Sequence, residues 1–123
     1  MDTSEVIKRF NQAFQDHDAS GLGELIADDC VMESIQPAPN GTRYEGYDVC
    51  LGFWKELAED STSAFEVEEV VVYGDRAAIR WRYRFGEGDE SSVRGVNLMH
   101  VREGKIVEAL GYVKTPEQVV RQA

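Results

Sequence analysis

The chain has 123 residues, 42% of them hydrophobic, and a formal net charge of −10, so we expect residues 1–123 to fold as one domain. The acidic charge argues against nucleic acids and anionic membrane surfaces as partners, because both carry charge of the same sign. No stretch approaches the ~20 consecutive apolar residues of a membrane span, which argues against a membrane protein.

The first apolar pattern lies near the start of the chain. Val6, Phe10 and Phe14 recur at helical spacing and form one apolar stripe. Asp2 or Thr3 can cap this helix, because a side-chain oxygen there accepts a backbone N–H of the first turn. The pattern therefore predicts an N-terminal helix.

Two further helices and a short strand are predicted in the next part of the chain. Leucine and isoleucine spacing predicts a second helix over 20–27, and a strand follows over 30–35. The prolines and the Asn-Gly pair after that strand are typical of a loop, where Arg43 and Tyr44 could gate a cavity. A third helix is predicted over 47–59 from its apolar face.

Strands are predicted at 65–73, 76–85, 92–101 and 105–114. A Gly-Asp pair after the first of these suits a two-residue hairpin turn, and the glycine before the last suits a three-residue turn with a bulge. Thr115 and the proline after it predict a short C-terminal helix. Helices segregated from an antiparallel sheet define an α+β fold.

One face of the last two predicted strands carries small and uncharged side chains: Asn97, Met99, Ala109 and Gly111. Glycine and alanine leave space where a packed core would need bulk, so this face predicts a pocket for a small molecule. Asn97 is the one polar group expected there, and its amide can orient a carbonyl or hydroxyl group of a ligand.

The strand at 76–85 alternates aromatic and basic residues. Trp81, Tyr83 and Phe85 share one face, and three arginines share the other. The aromatic face is either a pocket wall or ordinary core packing. The arginine face is interpreted as exposed and paired with acids across the strands.

Two acidic residues are the candidates for a catalytic carboxylate. If the pair at 74–75 forms a two-residue turn, Glu66 and Glu68 share the face of Trp81 and Tyr83, where one of them could act as a buried base. A slip of one residue in the strand pairing moves both acids to the arginine face instead. The sequence leaves both registers open.

The histidines and cysteines are given structural roles. His17 is expected to cap the end of the first helix, and His100 to lie on the outer face of the sheet. Neither has neighbours at metal-ligand spacing, so no metal and no cofactor is predicted. Cys30 and Cys50 fall in apolar patterns and are expected to be buried. With so few cysteines and no secretory signal, a cytoplasmic protein is expected.

Several segments together carry a resemblance to a known family. The sequences at 25–33, 44–49, 53–54 and 100–107 resemble the SnoaL-like branch of the nuclear transport factor 2 superfamily. The resemblance implies a cone-shaped, curved antiparallel sheet wrapped by three helices around an apolar pocket. It also implies a homodimer formed through the convex face of the sheet. Members include isomerases, cyclases, hydrolases, dehydratases and proteins without catalytic activity, so the fold does not choose among functions.

The catalytic positions of the superfamily are not retained here. Alignment of the motifs places the tyrosine, base and protonated acid of the ketosteroid isomerases at Phe10, Ser34 and Met99. None of the three can carry out the proton transfer that this mechanism needs.

The corresponding charged groups of the epoxide hydrolases fall at Trp81, Tyr83 and Gly111, and the cyclase aspartate falls between Asn97 and Met99. None of these positions is acidic here. The resemblance therefore implies the fold without a known mechanism.

We interpret the chain as a protein that binds a small hydrophobic or cyclic molecule. The predicted pocket lining comprises Phe10, Phe14, Met32, Ser34, Trp54, Trp81, Tyr83, Asn97, Met99 and Gly111. The first alternative is an isomerase, cyclase or hydratase that uses Glu66 or Glu68. The second is a protein-interaction module that uses the outer sheet face.

Overall fold

Two α-helices and one six-stranded sheet form the described part of the chain, residues 1–114 of a computed structural model. The elements in chain order are α1 (Thr3–Gln15), β1 (Ile26–Glu33), β2 (Arg43–Glu45), α2 (Tyr47–Glu59), β3 (Ala64–Tyr73), β4 (Arg76–Arg84), β5 (Ser92–Arg102) and β6 (Lys105–Val113). The predicted α+β class is confirmed. Neither helix in this part of the chain is long and apolar enough to cross a membrane.

The sheet is mixed, with the strand order β2-β1-β6-β5-β4-β3. Neighbouring strands are antiparallel except β1 and β6, which run parallel. The prediction of a wholly antiparallel sheet is wrong at this one pair. Hairpin signals identify strands joined by short turns, whereas β1 pairs with the last strand of the sheet, far along the chain.

The segment predicted as a second α-helix, 20–27, contains one short 3₁₀ helix and the start of a strand. A 3₁₀ helix covers only Leu22–Leu25, and β1 begins at Ile26, earlier than the predicted start at Cys30. Buried leucines three residues apart fit one 3₁₀ turn as well as an α-helix, so the spacing was ambiguous. The predicted C-terminal helix, which would complete the set of three, begins at Thr115 and lies outside the described residues.

Both α-helices pack against the curved sheet, α1 against β3 and β4 and α2 against β1. Asp2 caps α1, because its Oδ1 accepts the Glu5 N–H at 2.9 Å. His17 was expected to cap this same helix, but its Nδ1–H donates to the Ala58 carbonyl at 3.0 Å. The imidazole therefore joins the end of α1 to the last turn of α2.

The two hairpin turns have two residues each. Gly74 and Asp75 connect β3 to β4 as predicted, with Gly74 at φ 63°. Glu103 and Gly104 connect β5 to β6, and both have positive φ, at 52° and 77°. The turn therefore has one residue fewer than the three predicted. The bulge expected at the turn lies instead within the β5–β6 ladder, next to His100.

Local hydrogen bonds favour the charged form of four carboxyl groups near the protein surface. They lower the pKa of each group below its ordinary value of 3.8, and the donors come from nearby loops or from arginine and histidine side chains. The four groups are those of Asp18, Asp29, Asp60 and Asp75. For Asp29 the main cause is the hydrogen bond from Arg102.

We predict that the free energy of unfolding falls as the pH drops below 3.8. In that range these carboxyl groups bind protons in the unfolded chain, whereas in the folded protein their lower pKa keeps them charged. Protonation therefore favours the unfolded state. Urea unfolding at pH 5, 4 and 3 checks this. Asp29→Asn should flatten the decline, whereas the same change at its exposed neighbour Asp28 should leave the slope unchanged; equal slopes in both variants would contradict the assignment.

Candidate functional site

A cavity of about 330 Å³ lies between the inner face of the sheet and α2. Its walls come from all six strands, from α2, and from the loop between Ser34 and Thr42. A smaller cavity of about 50 Å³ adjoins it beneath α1. Trp54, Leu57 and Trp81 border both spaces, so the two cavities are neighbours in one hollow.

Six aromatic side chains line the cavity, and their rings pack against one another. Phe65 packs edge-to-face on Trp81, with 5.3 Å between ring centroids, and lies 4.6 Å from the ring of Tyr83. On the helical side, Tyr44 and Phe53 pack with their ring centroids 4.9 Å apart. Such contacts fix ring orientations, so the wall is preorganised for an apolar occupant.

One hydrogen bond on the cavity wall joins Trp81 to Asn97. The indole Nε1–H of Trp81 donates to Oδ1 of Asn97 at 3.2 Å. An indole nitrogen can only donate, so this bond also fixes which way the amide points. Within residues 1–114, Nδ2 of Asn97 has no hydrogen-bond partner, while every buried side-chain nitrogen or oxygen there has one. The unpaired Nδ2 is therefore accessible from the cavity.

Two glycines make room for this pair. Gly111 lies opposite Asn97 in the ladder, and a Cβ added there would lie 3.3 Å from Oδ1 of Asn97. Gly95 lies opposite Trp81, and a Cβ there would lie 2.6 Å from the indole ring. Sequence reasoning missed Gly95, although a glycine inside a strand is a signal of close approach by another group.

Ser34 holds the loop at the cavity mouth. Its Oγ–H donates to the Gln36 carbonyl at 2.9 Å, and the same oxygen accepts the Thr42 N–H at 3.2 Å. The Thr42 hydroxyl also donates to the Gln36 carbonyl, at 2.9 Å. The serine hydroxyl is therefore engaged in fixing the loop.

The predicted lining residues fall into three groups. The main cavity is lined by Met32, Ser34, Trp54, Trp81, Tyr83, Asn97 and Gly111. Phe10 and Phe14 line the smaller adjoining cavity. Met99 lines neither space and is 2% exposed, because it lies farther along β5 between Ala77 and Ala109, within the core.

Further lining residues escaped the sequence analysis. Ile35, Phe53, Leu57 and Phe65 also line the main cavity. Phe53 and Leu57 are four residues apart on α2 and thus share one helix face, which is the signal that could have identified them. Tyr44 lies at the cavity as expected, whereas Arg43 is exposed and pairs with Glu45 at 2.8 Å.

A bulge in β3 decides the position of the two candidate carboxylates. Glu69 lies opposite Arg80, as a two-residue turn requires, but the ladder then skips Glu68 and places Val67 opposite Trp81. The extra residue returns the apolar side chains of β3 to the inner face. The sequence contains a signal for this bulge, because the inward apolar positions of β3 change from odd to even numbers along the strand.

Glu66 and Glu68 therefore lie on the outer face of the sheet. Glu66 forms an ion pair with Arg84 at 2.8 Å, and Glu68 forms one with Arg94 at 2.9 Å. The register that would have made either one a buried base is wrong. Both acids belong instead to the charged ladder formed by the arginines of β4 and β5.

One further acid, the two cysteines and His100 also have contacts of their own. Glu33, an acid on the cavity rim, lies 3.4 Å from Arg43. Burial raises the pKa of the Cys30 thiol, and Cys50 donates its S–H to the Cys30 carbonyl at 3.5 Å. His100 lies on the outer face, 3.0 Å from Asp75. Within residues 1–114 no three histidine, cysteine or acidic side chains are grouped to hold a metal.

The fold is the cystatin-like α+β cone. The chain belongs to the SnoaL-like domain family, which matches residues 7–109. This confirms the family that the sequence resemblance indicated. Comparison with curated proteins gives no match.

Solved structures extend this comparison. The chain is 51% identical to a nuclear-transport-factor-2-like protein of unknown function from Mesorhizobium loti, covering 92% of this chain and 91% of the other, with a TM-score of 0.87. A proposed polyketide cyclase from Sinorhizobium meliloti shares 23% identity over 87% and 93% of the two chains, with a TM-score of 0.71. A steroid delta-isomerase from Pseudomonas aeruginosa shares 18% over 92% and 80%, with a TM-score of 0.75. The last two similarities show the fold alone.

We predict that Gly95→Ala destabilises the protein by about 1–3 kcal/mol, because the new methyl group would overlap the Trp81 ring and the Tyr112 carbonyl oxygen. Urea unfolding measures the loss. Gly52→Ala is the matched control, since a Cβ on this exposed helical glycine meets no atom within 4 Å and should stabilise α2 by up to about 1 kcal/mol. Equal stability of the Gly95 variant and the parent would contradict this packing.

Proposed function

We propose that the protein binds a small, neutral, largely apolar and ring-bearing molecule in the cavity beside Trp81. The observation that carries the proposal is the aromatic wall together with the side-chain amide of Asn97, whose Oδ1 accepts from Trp81 while its Nδ2 has no partner within residues 1–114. Ligand sites commonly combine an apolar lining with a few polar groups that orient the ligand.

The size and charge of the cavity narrow the class of ligand. A volume of about 330 Å³ is at the small end of the range of about 300–1,000 Å³ usual for ligand pockets. It suits one or two rings better than the four rings of a steroid. The acid on its rim, Glu33, faces Arg43, so a cationic ligand would find no free counter-ion there.

An enzyme of the isomerase or cyclase kind is the weaker candidate. The isomerase and cyclase names belong to the structural neighbours, at identities that carry the fold and no more. Glu66 and Glu68, the carboxylates that would have served such a reaction, face the other side of the sheet. A binding role requires only the apolar wall and the amide.

We predict that indane, a neutral hydrocarbon of two fused rings, raises the melting temperature because it binds the folded state alone. Gly111→Val should weaken indane binding about tenfold or more, since a side chain there enters the space beside Ile35 and Asn97. Calorimetric titration measures the affinity. Ala78→Val, which enlarges a small residue on the outer face, is the control and should leave the affinity unchanged. Absence of binding to the parent protein by both indane and its ketone analogue 2-indanone would contradict the proposal.

We also propose that two copies associate through the outer face of the sheet. Val71, Ala78, Leu98 and Leu110 lie opposite one another on successive strands and form an apolar row across that face. Leu98 is 44% exposed at its centre. Charges of both signs flank this row, so the face can meet a second copy of itself without like-charge repulsion.

We predict that Leu98→Asp converts a dimer to a monomer, because it buries a charge in the centre of the proposed interface. Size-exclusion chromatography with light scattering gives the mass directly. Val49→Asp is the matched control, since Val49 is a similarly exposed apolar residue, 50% accessible, but lies on α2. A parent protein that is monomeric at all concentrations would rule out this association.

A further inference from the structure

We propose that the cavity selects ligands that carry a hydrogen-bond acceptor, such as a ketone or ester oxygen, and that Asn97 reads this group through its Nδ2. The inference rests on the proposed binding function and adds the chemical class of the ligand. It concerns Nδ2 of Asn97, whose position is fixed by the hydrogen bond that the same amide forms with Trp81.

The amide of Asn97 has one available orientation. Its Oδ1 accepts from Nε1 of Trp81 at 3.2 Å. If the amide flipped, Nδ2 would face the indole N–H, and two donors would stand together without an acceptor. The indole is buried, packs in a T-shaped arrangement with Phe65 at 5.3 Å between centroids, and lies directly against the backbone at Gly95. The ring therefore cannot turn away to relieve such a clash.

This fixed donor distinguishes Asn97 from the other polar groups of the cavity. The hydroxyls of Tyr44 and Tyr83 also belong to lining residues, but a hydroxyl rotates and can either donate or accept. The serine hydroxyl at the mouth is already engaged with the loop. The side-chain amide of Gln36 also lines the cavity, but no hydrogen bond within residues 1–114 fixes its orientation. Among these side chains Asn97 is therefore the one whose donor cannot become an acceptor, so it is the residue that discriminates between ligands.

The energetic basis of selection is the cost of an unpaired donor. An apolar ligand displaces water from Nδ2 and gives no acceptor in return, whereas a carbonyl oxygen of the same shape restores the hydrogen bond. Where the bound ligand covers the amide, water no longer reaches Nδ2, so the lost hydrogen bond is not replaced by solvent. A difference of about 3- to 10-fold in affinity follows for a neutral hydrogen bond.

The test compares indane with 2-indanone, two ligands of nearly the same shape that differ by one carbonyl group. The affinities of both ligands for the parent and for Asn97→Leu are measured by calorimetric titration. For each protein the affinity for 2-indanone is divided by that for indane, and the value for the parent is then divided by the value for the variant. This ratio cancels the different hydration of the two ligands. We expect the preference for the ketone to fall about 3- to 10-fold in the variant.

Asn11→Leu is the matched control. Asn11 is an asparagine on α1 that lies at the smaller adjoining cavity and does not line the main one, so its replacement should leave the ketone preference unchanged. A preference that persists in Asn97→Leu, or disappears only in Asn11→Leu, would falsify the assignment. Failure of both ligands to bind the parent would instead refute the binding function itself, so the two failures are distinct.

A second measurement does not depend on the stability of any variant. In the parent protein, the side-chain amide resonances of Asn97 should shift on saturation with 2-indanone and change less with indane, because only the ketone accepts from Nδ2. The residue is assigned by loss of its signals in Asn97→Leu, or by selective labelling if that variant does not fold. Equal shifts with both ligands would overturn the inference.

Discussion

The extra residue at Glu68 governs the chemistry of the whole inner face. Without it, regular pairing from the Gly74–Asp75 turn would place Glu68 opposite Trp81 and Glu66 opposite Tyr83. The bulge instead places Val67 there and gives Glu68 to Arg94 on the outer face. Burying unpaired carboxylates among aromatic rings would cost far more than one irregularity in the ladder. The apolar character of the cavity thus follows from a single local break in strand register.

Trp81 links this register to the site. Opposite Val67 on one side and Gly95 on the other, its indole lies over β5 and reaches the Asn97 oxygen. Burial, ring packing and one hydrogen bond therefore converge on a single side chain that is 4% exposed. The same cone can accommodate different chemistry in its relatives, since a few inward positions determine what the hollow contains while the ladder and the helices remain.

The periodicity of apolar residues in the sequence predicted most of the fold and part of the site. The bounds of α2, the four long strands and the inward position of Trp81 follow from apolar spacing, which depends only on nearby residues. The parallel pairing of β1 with β6 and the core position of Met99 depend on contacts between distant segments. The bulge was foreseeable from the parity change in β3, but its consequence for Glu68 required the partner arginine to be known.

The chain has two tryptophans, and both border the cavity. Trp54 lies on α2 and Trp81 on the sheet, so the two indoles line the same cavity from opposite walls. Any occupant would alter the polarity around both fluorophores, and no tryptophan elsewhere contributes a constant background. Ligand binding can consequently be followed by the intrinsic tryptophan fluorescence of the protein, so libraries of unlabelled compounds can be screened without an added probe.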